Sequence, residues 1–318
     1  MQRTIERILT GLALAAAIAL AAPTPASAKI SDLPPAVAAK IAAMGPKFDM
    51  DVLKATAALY KPLVRQPPYR GVTIVKNESY GPEARNRLDV YQPARHKSVP
   101  VLIFIPGGGF VGGSKDGYAN LGGYFAQHGV LALVADYRLA PANSWPAGAV
   151  DVGKVVAWAK ANAARYGGDP ARLFLFGQSA GATHVADYTF NAKLHPAAGP
   201  GTAGTILVSG FYRPTAADKS PSTIAYYGAD PAKYAERSPI SHVGENPKRP
   251  LFLAYAEYDP AFLSAPTLAL AEAICRRDGQ CPAVHWLKGD NHVSTVFGFN
   301  SKDDELSHAV LDFVKTTR

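Results

Sequence analysis

The pentapeptide Gly177-Gln178-Ser179-Ala180-Gly181 constrains this chain more than any other stretch. It follows the apolar run 173–176, which is typical of a short buried strand, and precedes the alanine-rich stretch 182–191, which is compatible with a helix. Such a sharp strand-to-helix turn strains the backbone at the serine, and a side chain at either flanking glycine would collide with neighbouring backbone. The pattern predicts a Ser179 hydroxyl presented above a sheet edge at a helix N-terminus. Alone, it is equally compatible with an ordinary strand-to-helix turn.

The first 28 residues have the composition of a secretory signal peptide. Arg3 and Arg7 precede an apolar run of twelve residues, 11–22, and the small-residue triplet Ala26-Ser27-Ala28 follows two prolines. A membrane anchor is the alternative, but twelve apolar residues are too few to span roughly 30 Å of hydrocarbon. We therefore expect cleavage near Ala28 and export, to the periplasm or beyond, of a chain without a stable membrane anchor.

The charge and the cysteines fit an exported protein. Lys and Arg outnumber Asp and Glu by 33 to 25, but they are scattered, which favours a solvated surface over nucleic-acid binding. Cys275 and Cys281 are the two cysteines of the chain, and in an oxidising compartment they are expected to form one local disulfide. Two free thiols are the alternative. A zinc site is disfavoured because only His285 lies nearby in sequence.

Residues 29–70 form an N-terminal extension before the first strand. Helices are expected at 36–44 and 50–60, between clusters of prolines. The extension could lie over the site as a partial cap or could be a peripheral arm, and the sequence does not distinguish these alternatives.

Strands and helices alternate through the main domain, 71–318. Several strands are solid apolar runs, which is typical of a parallel sheet that is covered on both faces. We therefore expect an open, doubly wound α/β sheet with its ligand site at the carboxyl ends of the strands. Strands are expected at 71–76, 87–91, 99–105, 130–135, 172–176, 204–209, 251–255 and 283–287, and helices at 118–128, 147–166, 179–191, 265–277 and 303–315.

A glycine-rich stretch, Pro106-Gly107-Gly108-Gly109-Phe110, follows the strand that ends at Ile105. Consecutive glycines allow the backbone to approach a ligand closely and to turn its N–H groups toward a developing oxyanion. A phosphate-binding loop is disfavoured because no G-K-[ST] follows and a dinucleotide fingerprint is not well formed.

Several segments occur in an order that resembles one family. The glycine stretch is followed by Asp136-Tyr137-Arg138-Leu139-Ala140-Pro141, then Gly167-Gly168-Asp169-Pro170, the serine pentapeptide, Glu257-Tyr258-Asp259-Pro260 and Asn291-His292. Over roughly 71–318 the chain resembles α/β-hydrolases of the hormone-sensitive-lipase-like carboxylesterase group (the fold-3 type), with feruloyl-esterase-like and formamidase-like relatives. The resemblance implies an α/β-hydrolase fold and oxyanion donors at the backbone of Gly108, Gly109 and Ala180.

The chain departs from that family at Pro106, where the family usually has a histidine that braces the oxyanion loop. Proline lacks an N–H and fixes φ, so the loop must be held in another way. The oxyanion donors are backbone groups, and the departure therefore puts their efficiency rather than their existence in question.

The order serine, acid, histidine selects the rest of a triad. His292 follows a strand in a polar turn, whereas the other histidines precede the expected acid or lie within a strand or helix. Glu257 and Asp259 both follow the strand at 251–255, and either carboxylate can serve. Asp259 is favoured because Pro260 restricts the following backbone, because it lies further from the sheet, and because it matches the family's position.

These residues predict a serine hydrolase that cleaves small-molecule carboxylic esters, with Ser179 as nucleophile, His292 as base and Asp259 as acid. No metal or organic cofactor is expected. An amidase or formamidase with the same triad, or a non-catalytic binding protein on this fold, are the alternatives. Acyl and alcohol specificity and the oligomeric state are not determined by these motifs.

Overall fold

The computed structural model describes residues 33–94, 97–246 and 248–317. The expected signal peptide lies outside these residues. The strands of the described residues are β1 (Val72–Ser79), β2 (Arg87–Pro93), β3 (Val99–Ile105), β4 (Leu131–Ala135), β5 (Gly168–Gln178), β6 (Gly204–Val208), β7 (Leu251–Tyr258) and β8 (Val284–Asn291). They form an eight-stranded sheet in the order β1-β2-β4-β3-β5-β6-β7-β8, in which β2 pairs antiparallel with β1 and β4 and the other neighbours are parallel.

The central strands are apolar on both faces because helices cover both faces. In β3 every residue is buried, with Ile103 in one apolar cluster and Phe104 in the other. The helices are α1 (Pro35–Met44), α2 (Met50–Tyr60), α3 (Ala119–Gln127), α4 (Ala147–Asn162), α5 (Ala180–Phe190), α6 (Pro221–Tyr227), α7 (Ala261–Asp278), α8 (Ser294–Phe297) and α9 (Glu305–Thr316). Three of them, α4, α5 and α7, contribute to the first cluster, and α3, α8 and α9 contribute to the second. This arrangement confirms the open, doubly wound sheet.

The register of the parallel strands brings several loops to one edge. Ile105 of β3 pairs with Gly177, Gln178 of β5 pairs with Val208, and Val208 pairs with Ala254. The segments that leave β3, β5 and β6 therefore emerge at one level, and β7 extends beyond that level to Tyr258. This carboxyl edge carries the residues that the sequence analysis predicts to be functional.

Helices α1 and α2 pack at the same edge. Ile41 and Tyr60 are buried in a small cluster to which Tyr258, at the end of β7, and Phe297, in α8, also contribute. The loop between the two helices places Phe48 beside the predicted site.

The C-terminal end of α7 carries the disulfide. Cys275 and Cys281 are bonded, and they join the end of α7 to the segment that precedes β8. In the part of the chain that the structure describes, no helix is long and apolar enough to cross a membrane.

Candidate active site

Ser179 forms the turn between β5 and α5. Its φ of 55° lies in the left-handed region, which side-chain-bearing residues rarely adopt. The flanking glycines permit close packing: a Cβ on Gly181 would lie 2.0 Å from the Ile105 carbonyl oxygen, and one on Gly177 would lie 2.5 Å from the Cα of Ala182. The serine is therefore held at the N-terminus of α5, where the helix dipole favours a developing negative charge.

His292 lies between Ser179 and Asp259. Its Nε2 is 2.8 Å from the Ser179 Oγ, and its Nδ1 is 2.8 Å from the Asp259 Oδ1. All three residues are buried. Because a carboxylate only accepts hydrogen bonds, Nδ1 carries the imidazole proton, and Nε2 is left to accept the proton of the serine hydroxyl. The structure thus brings together the three residues that the sequence predicts for the triad.

The two candidate acids have different surroundings. Asp259 faces the imidazole, and its Oδ2 accepts hydrogen bonds from the Ser209 Oγ at 2.6 Å and from the Ala256 N–H at 2.8 Å. Glu257 instead accepts a hydrogen bond from the Gly289 N–H at 2.8 Å. Three hydrogen bonds therefore fix the Asp259 carboxylate in the site, whereas Glu257 is bonded to the end of β8 that precedes His292.

Gln178 and Ser209 also contact the triad, although no sequence motif singled them out. Gln178 donates from Nε2 to the His292 carbonyl oxygen at 2.9 Å, and Ser209 orients Asp259. Gln178 occupies the variable position of the pentapeptide, and Ser209 follows the next parallel strand. Their place at strand ends on the carboxyl edge is the signal that could have found them.

The glycine stretch after β3 lies against the nucleophile. A Cβ on Gly107 would fall 2.9 Å from the Ser179 Cβ, and a Cβ on Gly108 would fall 2.1 Å from the Gly112 carbonyl oxygen. Gly109 and Ala180 line the same cavity as Ser179, whereas Gly108 packs against Gly112 and accepts its N–H at 2.9 Å. Glycine is required at Gly107 and Gly108 because the neighbouring atoms lie too close for a side chain.

Phe110 anchors this loop, in which Pro106 replaces the bracing histidine. Its carbonyl oxygen accepts the Ala140 N–H at 3.0 Å. Its ring stacks on Tyr226 with centroids 4.5 Å apart and contacts Tyr227 edge-on. Both tyrosines are buried on α6. An aromatic cluster and a main-chain hydrogen bond thus hold the loop.

The nucleophile opens into a cavity of about 460 Å³. One part of the wall is aromatic and another is polar, and Ala217 and Leu263 add aliphatic surface. The wall includes the rings of Phe48, Phe110, Phe211 and Phe262 and the polar side chains of Asp218, Lys219, Ser220 and Ser222.

The loop that carries His292 is hydrogen-bonded within itself and to α2. The Asn291 Oδ1 accepts the N–H groups of Val293 and Ser294, and its Nδ2 donates to the Thr56 Oγ1 at 2.9 Å. Asp290, which accepts a hydrogen bond from the Ser294 hydroxyl, is buried, and burial raises its pKa well above the usual range. The base is thus carried on a turn that the N-terminal extension helps to hold.

His184 and Asp187 are further titratable residues that are buried on α5. Burial lowers the pKa of His184 to about 3, and its Nδ1 lies 3.1 Å from the Tyr226 hydroxyl. Burial raises the pKa of Asp187 to about 7, against the opposing effect of the hydrogen bond from the Trp145 Nε1 at 2.7 Å. His184 is therefore neutral at neutral pH, and its ring packs against those of Phe110, Tyr137 and Tyr226.

Comparison with known proteins places the chain in a family. A model of the alpha/beta hydrolase fold family matches residues 102–281, which is more than half of the chain. The chain therefore belongs to the alpha/beta hydrolase fold family. The predicted resemblance to this family is confirmed.

Its curated relatives include esterases. Over 311 residues the chain is 29% identical to esterase LipQ of Mycobacterium tuberculosis. This alignment covers 87% of this chain and 73% of that protein. It is 43% identical over 106 residues to esterase LipC of the same organism, and 38% identical over 133 residues to a probable isoprenylcysteine alpha-carbonyl methylesterase of Oryza sativa. These two matches span 26% and 31% of the relatives' length.

Solved structures share the fold. A hyperthermophilic esterase from Pyrobaculum calidifontis aligns with a TM-score of 0.66 at 20% identity, over 89% of this chain and 97% of its own. Esterase B from Lactobacillus rhamnosis aligns with a TM-score of 0.68 at 21% identity, over 89% and 94%. Within the described residues, no cluster of three His, Cys, Asp or Glu side chains is placed to hold a metal ion.

Proposed function

We propose that this protein is a serine carboxylesterase that hydrolyses small-molecule esters through an acyl-enzyme. The observation that carries the proposal is the pair of 2.8 Å contacts that link Ser179, which lines the cavity, to His292 and His292 to Asp259. Membership of the hydrolase family and similarity to esterases along most of the chain support the same reaction class.

In the acylation step, the Ser179 Oγ attacks the ester carbonyl carbon while its proton passes to the His292 Nε2. The carbonyl π pair moves onto oxygen, and the backbone N–H groups of Gly108, Gly109 and Ala180 are its proposed donors. Collapse of this intermediate expels the alcohol, which takes the proton from Nε2. Asp259 holds the imidazole tautomer and stabilises the imidazolium.

In the deacylation step, water attacks the acyl-enzyme and gives its proton to His292. The second tetrahedral intermediate collapses, the carboxylic acid leaves, and Ser179 regains its proton from the imidazole. No redox change occurs. In each half-reaction the His292 imidazole accepts one proton and gives it up again.

The N-terminal extension, proposed as a separate segment from the 71–318 domain, serves as a partial cap. Phe48 supports this role because it lines the cavity and its ring lies 4.6 Å from the His292 ring. Its aromatic face and those of Phe211 and Phe262 suit the apolar part of an ester.

Export after cleavage near Ala28 is part of the proposal. The leader composition and the Cys275–Cys281 disulfide support it, because disulfides persist in oxidising compartments. The intact mass of protein recovered from outside the cytoplasm should correspond to a chain that begins at Lys29; an uncleaved N-terminus on that material would contradict the proposal.

The reaction is tested with a fluorophosphonate probe and a panel of matched esters and amides. We expect the probe to label Ser179, the parent to hydrolyse esters, and Ser179→Ala to lose both properties. A protein that is folded but unlabelled would indicate a binding protein instead. A higher kcat/KM for an amide than for the matched ester would indicate an amidase.

A further inference from the structure

Gln178 is a buried polar side chain that lies beside the base, His292, and has no part in the proposed reaction. It ends β5 and is 2% exposed. Its Nε2 lies 2.9 Å from the His292 carbonyl oxygen and 3.3 Å from the His292 Nε2. The carbonyl oxygen is an acceptor only, which requires the amide nitrogen rather than the amide oxygen to face it.

The other end of the same amide faces the oxyanion loop. A Cβ on Gly107 would lie 2.5 Å from the Gln178 Oε1. The amide therefore lies between the loop expected to bind the oxyanion and the loop that carries the base. Since Pro106 replaces the usual bracing histidine, a side chain that contacts both loops is well placed to keep their separation constant.

We propose that Gln178 is a positioning residue that fixes the His292 loop and favours the neutral form of its imidazole. This inference rests on the proposed function, because it concerns the base of that reaction. In the neutral ring Nε2 is an acceptor, and the Gln178 N–H and the Ser179 O–H both point toward it. Once Nε2 is protonated it is a donor, and the Gln178 amide nitrogen offers it no lone pair.

The other charged groups near the imidazole have partners of their own. Asp259 is hydrogen-bonded to Nδ1, and Glu257 accepts the Gly289 N–H. Asp290, two positions before His292, is bonded to Ser294, and burial raises its pKa well above the usual range. On the extension side the ring faces the uncharged Phe48. A charge placed at position 178 would therefore be a new charge beside Nε2.

Two substitutions test this role. Gln178→Glu keeps the shape but replaces the amide donor with a carboxylate beside Nε2, so the acid limb of the kcat/KM profile should move to higher pH by about one unit. Gln178→Met keeps the length but removes both amide contacts, so kcat should fall about tenfold with KM unchanged. Gln127→Glu, the same change at the end of α3, is the matched control and should alter neither.

Kinetics from pH 5 to 9 and thermal melts of the four proteins decide the matter. A Gln178→Glu profile that coincides with the parent's, a Gln178→Met loss confined to KM, or an equal shift in Gln127→Glu would overturn the inference. If Gln178→Met does not fold, the isosteric Gln178→Glu decides alone.

The proposed function can fail separately. Its failure would be a parent protein without Ser179-dependent hydrolysis. In that event, ¹⁵N-edited NMR titration of the His292 ring in the parent and in Gln178→Glu still tests the inference. A higher titration midpoint in the variant supports it, and equal midpoints overturn it.

Discussion

The core and the N-terminal extension contact His292 in different ways. From the core, Asp259 and Gln178 reach it by hydrogen bonds at 2.8 and 2.9 Å. From the extension, Phe48 presents a ring at 80° to the imidazole, without a hydrogen bond. Proton transfer requires fixed donor and acceptor geometry, which strand ends provide. Covering the base and shaping the cavity require only packing, which an added pair of helices provides.

The largest effect should come from the core side. In Asp259→Asn the imidazole loses its orienting carboxylate, the wrong tautomer is favoured, and kcat should fall roughly 10⁴-fold at neutral pH. Steady-state kinetics on protein with a parent-like circular dichroism spectrum measure this loss.

Glu257→Gln is the matched control for that substitution. Its carboxylate contacts the Gly289 N–H rather than the imidazole, and a glutamine oxygen can still accept that hydrogen bond. Activity should stay within about tenfold of the parent. The reverse ranking would assign the acid to Glu257, and small losses in both variants would contradict the triad.

The strands and site residues of the core could be predicted from the sequence because the patterns that specify them are local. The run at 99–105 predicted β3 with its observed ends, and the serine pentapeptide lies at a strand-to-helix turn, as predicted. The choice of Asp259 over Glu257 used Pro260, which directs the chain out of the sheet, together with the greater distance of Asp259 from the sheet and its match to the family's position. Glycines, prolines and apolar runs act on their immediate neighbours, so their effect can be predicted without tertiary contacts.

Boundaries were less predictable where pairing overrides local preference. β5 begins at Gly168 rather than 172, because a register shift against β3 accommodates the Asp169-Pro170 segment. α7 begins at Ala261 rather than 265, so that Pro266 lies inside the helix. Because proline has no N–H, the helix loses one backbone hydrogen bond there. The short helix α6 was not predicted, although Ser220 caps it and Pro221 opens it.

The extension's contacts were not predictable from local pattern. Phe48 lies in a loop with no motif, and Thr56 looks like any polar residue within a helix, yet it is fully buried against Asn291. Both depend on how α1 and α2 dock over the sheet edge, which is a long-range property. This is why the sequence left the cap and the peripheral arm as equal alternatives.

A smaller effect is expected from the extension side. Phe48→Ala removes one aromatic wall of the cavity and the ring that covers His292, so KM should rise about tenfold while kcat stays within about threefold. Met50→Ala, two residues later and 61% exposed, is the control and should leave both constants unchanged. A large fall in kcat for Phe48→Ala would mean that the Phe48 ring itself helps to position the base, and the contrast between hydrogen-bonded core contacts and ring packing would be lost.

The smallest effect on turnover is expected from removal of the disulfide, which is not among the core or extension contacts with His292. It precedes β8, at the end of the strand opposite His292, so its removal reaches the site only through the length of that strand. Closing so short a loop contributes about 2 kcal/mol to stability in the chain-entropy model. The Cys275→Ser, Cys281→Ser double variant should therefore melt about 5 °C lower, with kcat/KM within about twofold at 25 °C. Non-reducing peptide mapping of the parent first verifies the bond. A tenfold loss of kcat/KM well below the melting temperature would show that the disulfide at one end of β8 affects the His292 turn at the other end. The disulfide would then support that turn together with the core and the extension.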